Sequence, residues 1–192
     1  KGLSWDTVDT TIYNNILSSE EMPSDGDLWR YSAMLQITGD ADTDGSSAVY
    51  ANEMVTGIDY NVYYRQPTSN PSTTVLWQYG SDRATQSVNA SSLSDFTSSP
   101  NVTVTGRDAN GLDLQGARDS NPIVVREPAD PTAWGDYDLR AADGGPADGT
   151  GAPLPQDVAD ALGLSAGTAV DRGALVNVAW SGGQGAAPAG AQ

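Results

Sequence analysis

Short stretches in which hydrophobic and polar residues alternate follow one another along most of the chain. Alternation with a period of two is the pattern of a β-strand, and the apolar positions are mostly β-branched or aromatic, as strands favour. The alternating stretches are Trp29–Ile37, Met54–Tyr64, Val75–Tyr79, Val102–Val104, Ile123–Val125 and Ala174–Trp180. The pattern predicts an all-β fold of roughly eight to ten short strands, arranged as a jelly roll or a β-sandwich.

Two segments have the three- and four-residue spacing of a helix instead. One lies near the start, behind a serine that can cap it: Ser4, Trp5, Val8, Ile12 and Ile16. The other begins at Pro155, where Val158 and Leu162 share a face and Gly163 can end the helix. We therefore expect one or two short helices beside the strands.

The connections between the stretches are rich in Ser, Asp, Gly and Pro. Asn110 and Gly111 both tolerate a positive φ, so the segment Asn101–Gln115 predicts a β-hairpin that turns at this pair. The longest break, Ala141–Pro155, is interpreted as a loop and not as a domain boundary, because the remainder after it is too small to fold alone. We find no convincing repeat at a fixed period.

We expect a single β domain over residues 1–180 and an extended, Gly- and Ala-rich C-terminal arm over residues 181–192. A tail of this composition takes up a fixed structure only when another surface holds it. We therefore expect the arm to lie against a neighbouring subunit, with Gly185 and Pro188 at the contact. Packing of the arm on its own domain is the alternative.

The chain has no His and no Cys. Their absence excludes a Ser-His-Asp triad, a Cys nucleophile, His- or Cys-ligated zinc and disulfides. Paired carboxylates could serve a glycosidase, but no spacing singles out a pair among the 25 acidic residues. We therefore expect a protein that is not an enzyme and has no catalytic residues. No apolar run approaches the roughly 18–20 residues of a membrane span.

The 25 acidic side chains outnumber the 9 basic ones, which gives a net charge of −16 at pH 7. Phosphates are repelled by such a chain, so direct binding of nucleic acid is not expected. Most of the acids are Asp, and Lys1 is the only Lys. Molar salt relieves the self-repulsion because the Debye length falls to about 3 Å at 1 M. The composition indicates a halophile; a GC-rich coding bias, the alternative, explains the scarcity of Lys but not the excess of acid.

Asp40, Asp42 and Asp44 stand at alternate positions before Gly45, which is the spacing of the first half of a calcium-binding loop. The twelfth position of that loop is Ala51 and not an acid, so an EF-hand is not expected. A shorter hairpin site for Ca²⁺ or a monovalent cation and a solvated acidic turn are the remaining alternatives. We expect no other cofactor.

Most of the five Trp and eight Tyr residues occupy alternating strand positions and are expected in the core. Trp134 is the exception, because it lies in a loop, and it is a candidate interface anchor. Asn89 and Asn101 begin N-x-S/T triplets, which act as glycosylation sites only in an exported protein.

A single β-rich domain of this size, a halophilic charge balance and a Gly/Ala-rich tail together resemble the smaller major capsid protein of icosahedral, membrane-containing haloarchaeal viruses. The resemblance rests on the strand series from Leu28 to Trp180 and on size, and it involves no sequence motif. It implies a vertical single jelly roll, a place in the virion and self-assembly with other coat proteins, without catalytic residues. The alternative is an exported cell-surface or carbohydrate-binding β-sandwich module of a halophile.

Overall fold

The structure, a computed structural model, describes residues 7–19, 33–39, 49–65, 73–130 and 132–173. Contacts between Cα atoms divide the chain into two compact units, Lys1–Gly116 (unit 1) and Ala117–Gln192 (unit 2). In chain order the strands and α-helices are β1 (Thr10–Tyr13), β2 (Ile16–Ser19), β3 (Leu35–Ile37), α1 (Ala51–Met54), β4 (Val55–Asp59), β5 (Val62–Arg65), β6 (Val75–Gln78), β7 (Ser87–Ala90), α2 (Leu93–Ser98), β8 (Leu112–Gln115), β9 (Val124–Arg126), β10 (Asp138–Ala141) and α3 (Gln156–Ala161).

Unit 1 is built mainly from parallel strands, which pair in three sheets. Strands β2, β5 and β8 run side by side in the same direction, as do β1 with β4 and β3 with β6. Ile16 pairs with Val62, which lies 46 positions later in the chain, and Val62 pairs with Leu112, which lies another 50 positions later. The chain visits the three sheets in the same order twice, and a third circuit begins with a bridge from Thr105 to Gly57 and with β8. This is the arrangement of a parallel β-solenoid.

Strand β7 and helix α2 follow the second circuit. β7 lies antiparallel beside β6, with Val88 opposite Trp77. Helix α2 begins with a capping box formed by Ser92 and Asp95, and its Phe96 packs edge-on against Trp77 with ring centroids 5.5 Å apart. The buried hydrophobic core comprises Ala51, Val55, Ile58, Tyr63, Val75, Trp77, Ala90, Leu93, Phe96, Val102 and Val104.

The helix expected near the start is wrong, because β1 and β2 occupy that segment. Both strands pair in parallel with strands of the second circuit, and Asn14 between them has a left-handed φ of 59°. The segment is rich in β-branched residues, and its sheet partners lie some 46 positions away, where a local pattern cannot show them. The expected cap Ser4 and Trp5 lie outside the described residues.

The hairpin expected over Asn101–Gln115 is also wrong, because β8 pairs in parallel with β5 and not with the segment before it. The chain turns through consecutive left-handed residues from Gly106 to Asp108, whose φ angles are 81° and 56°. Val102 and Val104 are buried, as expected of alternating apolar residues, but they lie outside the strands. The Asn-Gly pair lies at the end of this turn, where the Gly111 N–H donates to the Asp108 carbonyl at 2.9 Å, and it does not join two antiparallel strands.

The long alternating stretch Met54–Tyr64 contains two strands, because Tyr60 takes a left-handed φ of 61° and separates β4 from β5. Strands β3 and β6 lie within stretches where the alternation predicts them, and β9 overlaps the predicted stretch Ile123–Val125. The first part of the expected stretch Trp29–Ile37, up to residue 32, and the strand expected over Ala174–Trp180 lie outside the described residues.

Unit 2 contains the antiparallel pair β9–β10, a series of turns and helix α3. The helix expected after Pro155 is confirmed, and Gly163 beyond its end has a φ of 70°, as a helix-ending glycine requires. The buried side chain of this helix is Ala159, whereas Val158 and Leu162 are exposed.

The described residues confirm a chain made mainly of strands with a few short helices. A jelly roll or sandwich is not confirmed, since four of the six described strand pairings are parallel and those folds are antiparallel. Within the described ranges, no helix is long and apolar enough to cross a membrane. The expected arm, residues 181–192, lies outside them, and the assignment of residues 1–180 to one domain stays a prediction.

Candidate functional site

Several candidate site residues from the sequence analysis lie outside the described residues. The candidate cation loop (Asp40, Asp42 and Asp44) and the arm residues Gly185 and Pro188 are all in this class, so these sites stay predictions. In the part of the chain that is described, no group of three or more acidic side chains could hold a metal ion. The candidate interface residue Trp134 and the two candidate glycosylation triplets, at Asn89 and Asn101, lie within the described residues.

The asparagines of both triplets are exposed. Asn89 lies on β7, and Asn101 follows α2, where its backbone carbonyl accepts a hydrogen bond from the side chain of Asn52 at 2.9 Å. Exposure leaves both amide groups accessible, and the attachment of glycan to them stays a prediction.

Trp134 is the most exposed large hydrophobic residue among those described, with 80% of its surface accessible. It begins a 3₁₀ turn, Trp134–Asp136, immediately before β10. One face of its ring stacks on Tyr137, with ring centroids 6.1 Å apart and the planes at 24°. The other face is open to a ligand or a partner.

A polar network holds Tyr137 in place. The Glu127 carboxylate, which is 7% exposed, accepts a hydrogen bond from Asn121 Nδ2 at 2.6 Å and lies 3.5 Å from Arg118 Nη1. Arg118 Nη1 also donates to the Tyr137 hydroxyl at 2.7 Å. A buried carboxylate is tolerated only with partners of this kind. The network therefore fixes the ring on which Trp134 rests.

Hydrogen bonds within the loop hold Trp134 in its exposed position. The Asp130 carboxylate accepts hydrogen bonds from the hydroxyl and the backbone N–H of Thr132, at 2.7 and 2.8 Å, and these bonds lower the pKa of this exposed carboxyl. The backbone N–H of Trp134 donates to the Thr132 carbonyl at 2.9 Å. Arg126 and Asp136 form an exposed ion pair at 4.0 Å, which contributes little to stability because water screens it.

The β9–β10 pair adds two exposed hydrophobic side chains to unit 2. Val125 on β9 is 49% exposed and Leu139 on β10 is 51% exposed, and both lie in the stretch where the register of the ladder shifts between Asp138 and Ala141. Exposed apolar side chains that cluster are typical of interaction surfaces.

A polar ladder in unit 1 is not foreseen by the sequence. Asn61 Oδ1 accepts hydrogen bonds from the backbone N–H and Nδ2 of Asn15, at 3.1 and 2.9 Å. The backbone N–H and Nδ2 of Asn61 donate to the Asp108 carboxylate at 3.0 and 3.2 Å. The three residues stand at the same turn of successive circuits, and we call them the Asn–Asn–Asp ladder.

The acidic member of the ladder is completely buried. The Tyr63 hydroxyl donates to Asp108 Oδ2 at 2.7 Å. Burial raises the pKa of Asp108, and the hydrogen bonds from Tyr63 and Asn61 oppose that shift. Burial, and then the charge of Asp108, raises the pKa of Tyr63. Asn61 and Asp108 are both buried, and their hydrogen bonds connect successive circuits.

One signal in the sequence could have revealed the ladder. Asn15–Leu17 and Asn61–Tyr63 each place an Asn before two apolar residues, at the same step of successive circuits. The third circuit departs from this pattern because its ladder residue, Asp108, precedes Leu112 by four positions. A search for a fixed period therefore finds nothing.

No protein-family model matches the chain, and neither a curated protein nor a solved structure matches it. The sites therefore rest on the residues of this chain alone. The resemblance to a haloarchaeal coat protein stays a prediction.

Proposed function

We propose that the chain is a structural protein of a virion, a coat subunit that assembles in high salt. The observation that carries the proposal is the exposed Trp134 supported by Tyr137. An aromatic side chain that is already held in place loses little freedom on association, and such residues dominate the binding free energy of protein interfaces. Val125 and Leu139 add apolar surface in the same unit.

The net charge supports assembly in concentrated salt. At −16, two copies of the chain repel each other at low ionic strength. Molar salt limits that repulsion to distances of about 3 Å, which leaves apolar contacts to hold subunits together. Screening therefore makes assembly dependent on salt.

Two parts of the proposal concern residues outside the described ranges. Asp40, Asp42 and Asp44 would bind a cation at a subunit contact, and the arm residues Gly185 and Pro188 would lie on a neighbouring subunit. A subunit with unit 1 as its frame would present stacked parallel circuits instead of the jelly roll that the resemblance implies.

Light scattering in molar KCl, repeated after dialysis to low salt with a chelator, tests the proposal. We expect a large or discrete multimer that dissociates on dialysis, and electron microscopy then reports its geometry. Trp134→Ala should lower the multimer fraction. Leu162→Ala, which removes another exposed apolar side chain of unit 2, should not. A monomer under both conditions contradicts self-assembly.

An exported cell-surface or carbohydrate-binding module is the second candidate. It is favoured by the open face of Trp134, on which a sugar ring can stack, and by the exposure of Asn89 and Asn101. Binding of a neutral oligosaccharide by the monomer, lost in Trp134→Ala, would favour this candidate over a coat subunit. Glycans found on both asparagines of the native protein would do the same.

A further inference from the structure

We propose that Trp134 receives a lysine or arginine side chain of a basic protein partner, which rests on the ring face that Tyr137 leaves open. The inference deepens the proposed function and rests on it in one respect, that Trp134 is a contact residue. It names the chemistry on the other side of that contact.

The geometry of the aromatic pair suits a cation. The face of an indole ring carries negative electrostatic potential, and tryptophan is the strongest of the aromatic residues in attracting ammonium and guanidinium groups. Stacking on Tyr137 occupies one face of the ring and keeps the plane in one orientation. The 80% exposure of Trp134 leaves the second face accessible.

The loop borders open space at the residue after the tryptophan. Gly135 follows Trp134, and a Cβ built at Gly135 would have no atom within 4 Å, so this side of the loop borders open space. Asp130 and Asp136, four residues before and two residues after the tryptophan, are exposed; the first accepts hydrogen bonds from Thr132 and the second pairs with Arg126. A carboxylate offers about four lone-pair sites, so these contacts leave sites for the donors of an incoming lysine or arginine.

Charge complementarity selects the partner. The whole chain carries −16, so at low ionic strength a basic surface is attracted to it and a second copy is repelled, although molar salt removes that repulsion. A side chain that is desolvated against an aromatic ring is screened less by salt than an exposed ion pair. The contact at Trp134 should therefore persist in molar KCl, where the general attraction between the two surfaces is lost.

Calorimetric titration tests the proposal with a synthetic peptide of alternating arginine and glycine. An alternating glutamate–glycine peptide and a neutral hexasaccharide serve as comparison ligands, and each titration is made at low and at molar KCl. We expect the arginine peptide to bind, and Trp134→Ala to weaken it about three- to ten-fold at both salt concentrations. Trp134→Phe should have intermediate affinity, and Leu162→Ala should bind like the wild type.

Equal affinity of the arginine peptide for Trp134→Ala and the wild type, in variants shown to be folded by circular dichroism, would overturn the proposal. Trp134-dependent binding of the hexasaccharide alone would also overturn it. Light scattering of the same samples without peptide separates the two proposals. Assembly without a peptide effect supports the coat subunit and overturns the basic partner. Binding of the peptide that depends on Trp134, without assembly at any salt concentration, supports the basic partner and contradicts the self-assembling coat subunit.

Discussion

Asn61 uses both ends of its side-chain amide in the Asn–Asn–Asp ladder. Its oxygen accepts from Asn15, and its Nδ2 donates to Asp108 and to the carbonyl of Ile12. The residue is completely buried, so a group that loses its partner there cannot turn to water instead. One side chain therefore connects all three circuits of unit 1.

We expect Asn61→Ala to lower the free energy of unfolding by about 2–4 kcal/mol, because it leaves polar groups of Asn15 and Asp108 without their partner. Asn89→Ala, at an exposed position on β7, should change stability by less than about 0.5 kcal/mol. Denaturant unfolding in molar KCl measures both. Similar effects of the two changes would show that the ladder contributes nothing beyond an ordinary surface asparagine.

The raised pKa of Asp108 makes its contribution to stability depend on pH. The folded chain holds this proton more tightly than the unfolded chain, whose Asp pKa is about 3.9. Stability from this group is therefore fully present below the unfolded pKa and falls as the pH rises through the raised folded pKa. The amide introduced by Asp108→Asn has no proton to lose, and asparagine tolerates the left-handed φ of 56° at this position. We expect the stability of the variant relative to wild type to rise with pH from about 4 upward.

Asp95 provides a control, because its contribution to stability should change with pH in the opposite direction to that of Asp108. Hydrogen bonds from Ser92 and Ser91 lower the pKa of this exposed carboxyl, so its contribution is present above the unfolded pKa and is lost as the pH falls. The cost of Asp95→Asn should therefore vanish in acid. Denaturant unfolding of both variants and the wild type across the acid range, at constant KCl, measures how the free energy of unfolding of each changes with pH. A constant difference between Asp108→Asn and wild type at every pH would contradict the assignment.

At the scale of the elements, the direction of strand pairing is the main feature of unit 1. A parallel pair cannot be joined by a tight hairpin, so a strand of such a pair meets its neighbour only after a full circuit, unlike the antiparallel pair β6–β7. The circuits meet closely at the turn before β8, where Gly106 lies against the backbone of β4. Gly106 has a φ of 81°, which favours glycine.

Gly106→Ala and Gly163→Ala form a matched pair, because both glycines have a left-handed φ and only one is confined. A Cβ at Gly106 would lie 2.6 Å from the Ile58 carbonyl oxygen, whereas a Cβ at Gly163 would have no atom within 4 Å. We expect Gly163→Ala to cost about 1–2 kcal/mol from the backbone alone. Gly106→Ala should cost about 1–3 kcal/mol more, from the clash.

Hydrogen exchange followed by mass spectrometry measures the two glycine variants separately, because the residues belong to different units. Faster exchange in β4 and β8 is expected for Gly106→Ala, and a change confined to the region of α3 for Gly163→Ala. Equal protection of β4 in Gly106→Ala and wild type would contradict the close approach.

At the scale of the whole molecule, we expect the excess of acid to make the stability of the chain depend on salt. A net charge of −16 destabilises a compact chain through self-repulsion, and salt removes that cost. The exposed carboxylates described by the structure are spread over both units. The effect therefore belongs to the entire chain and to no single site.

We expect the Tm to rise by several °C between low salt and molar KCl. A variant with the exposed Asp119, Asp143 and Asp157 all changed to Asn should have a smaller dependence, because it carries three fewer negative charges. Differential scanning calorimetry over a KCl series measures the change of Tm with salt concentration for the wild type and the variant. Identical slopes would mean that salt acts through general exclusion from the protein surface and not through screening.

The candidate site was only partly predictable. Trp134 stood out because a large aromatic residue in a loop has no strand to bury it, and the structure places it on the surface. Its support by Tyr137, and the network of Arg118 and Glu127 behind that ring, could not be read from the chain, because those residues are joined by folding and not by spacing.

The sequence by itself determined the mainly β character of the chain, the helix after Pro155 and the acidic composition. These follow from local alternation, local helix signals and residue counts, none of which needs a distant partner. Only the tertiary structure decided that strands of unit 1 pair in parallel, that the segment beginning at Thr10 is a strand and not a helix, and that Asn61 joins its neighbouring circuits. Alternation looks the same whether a strand pairs with the next segment or with one 46 residues away, so the pairing emerges only when the circuits stack.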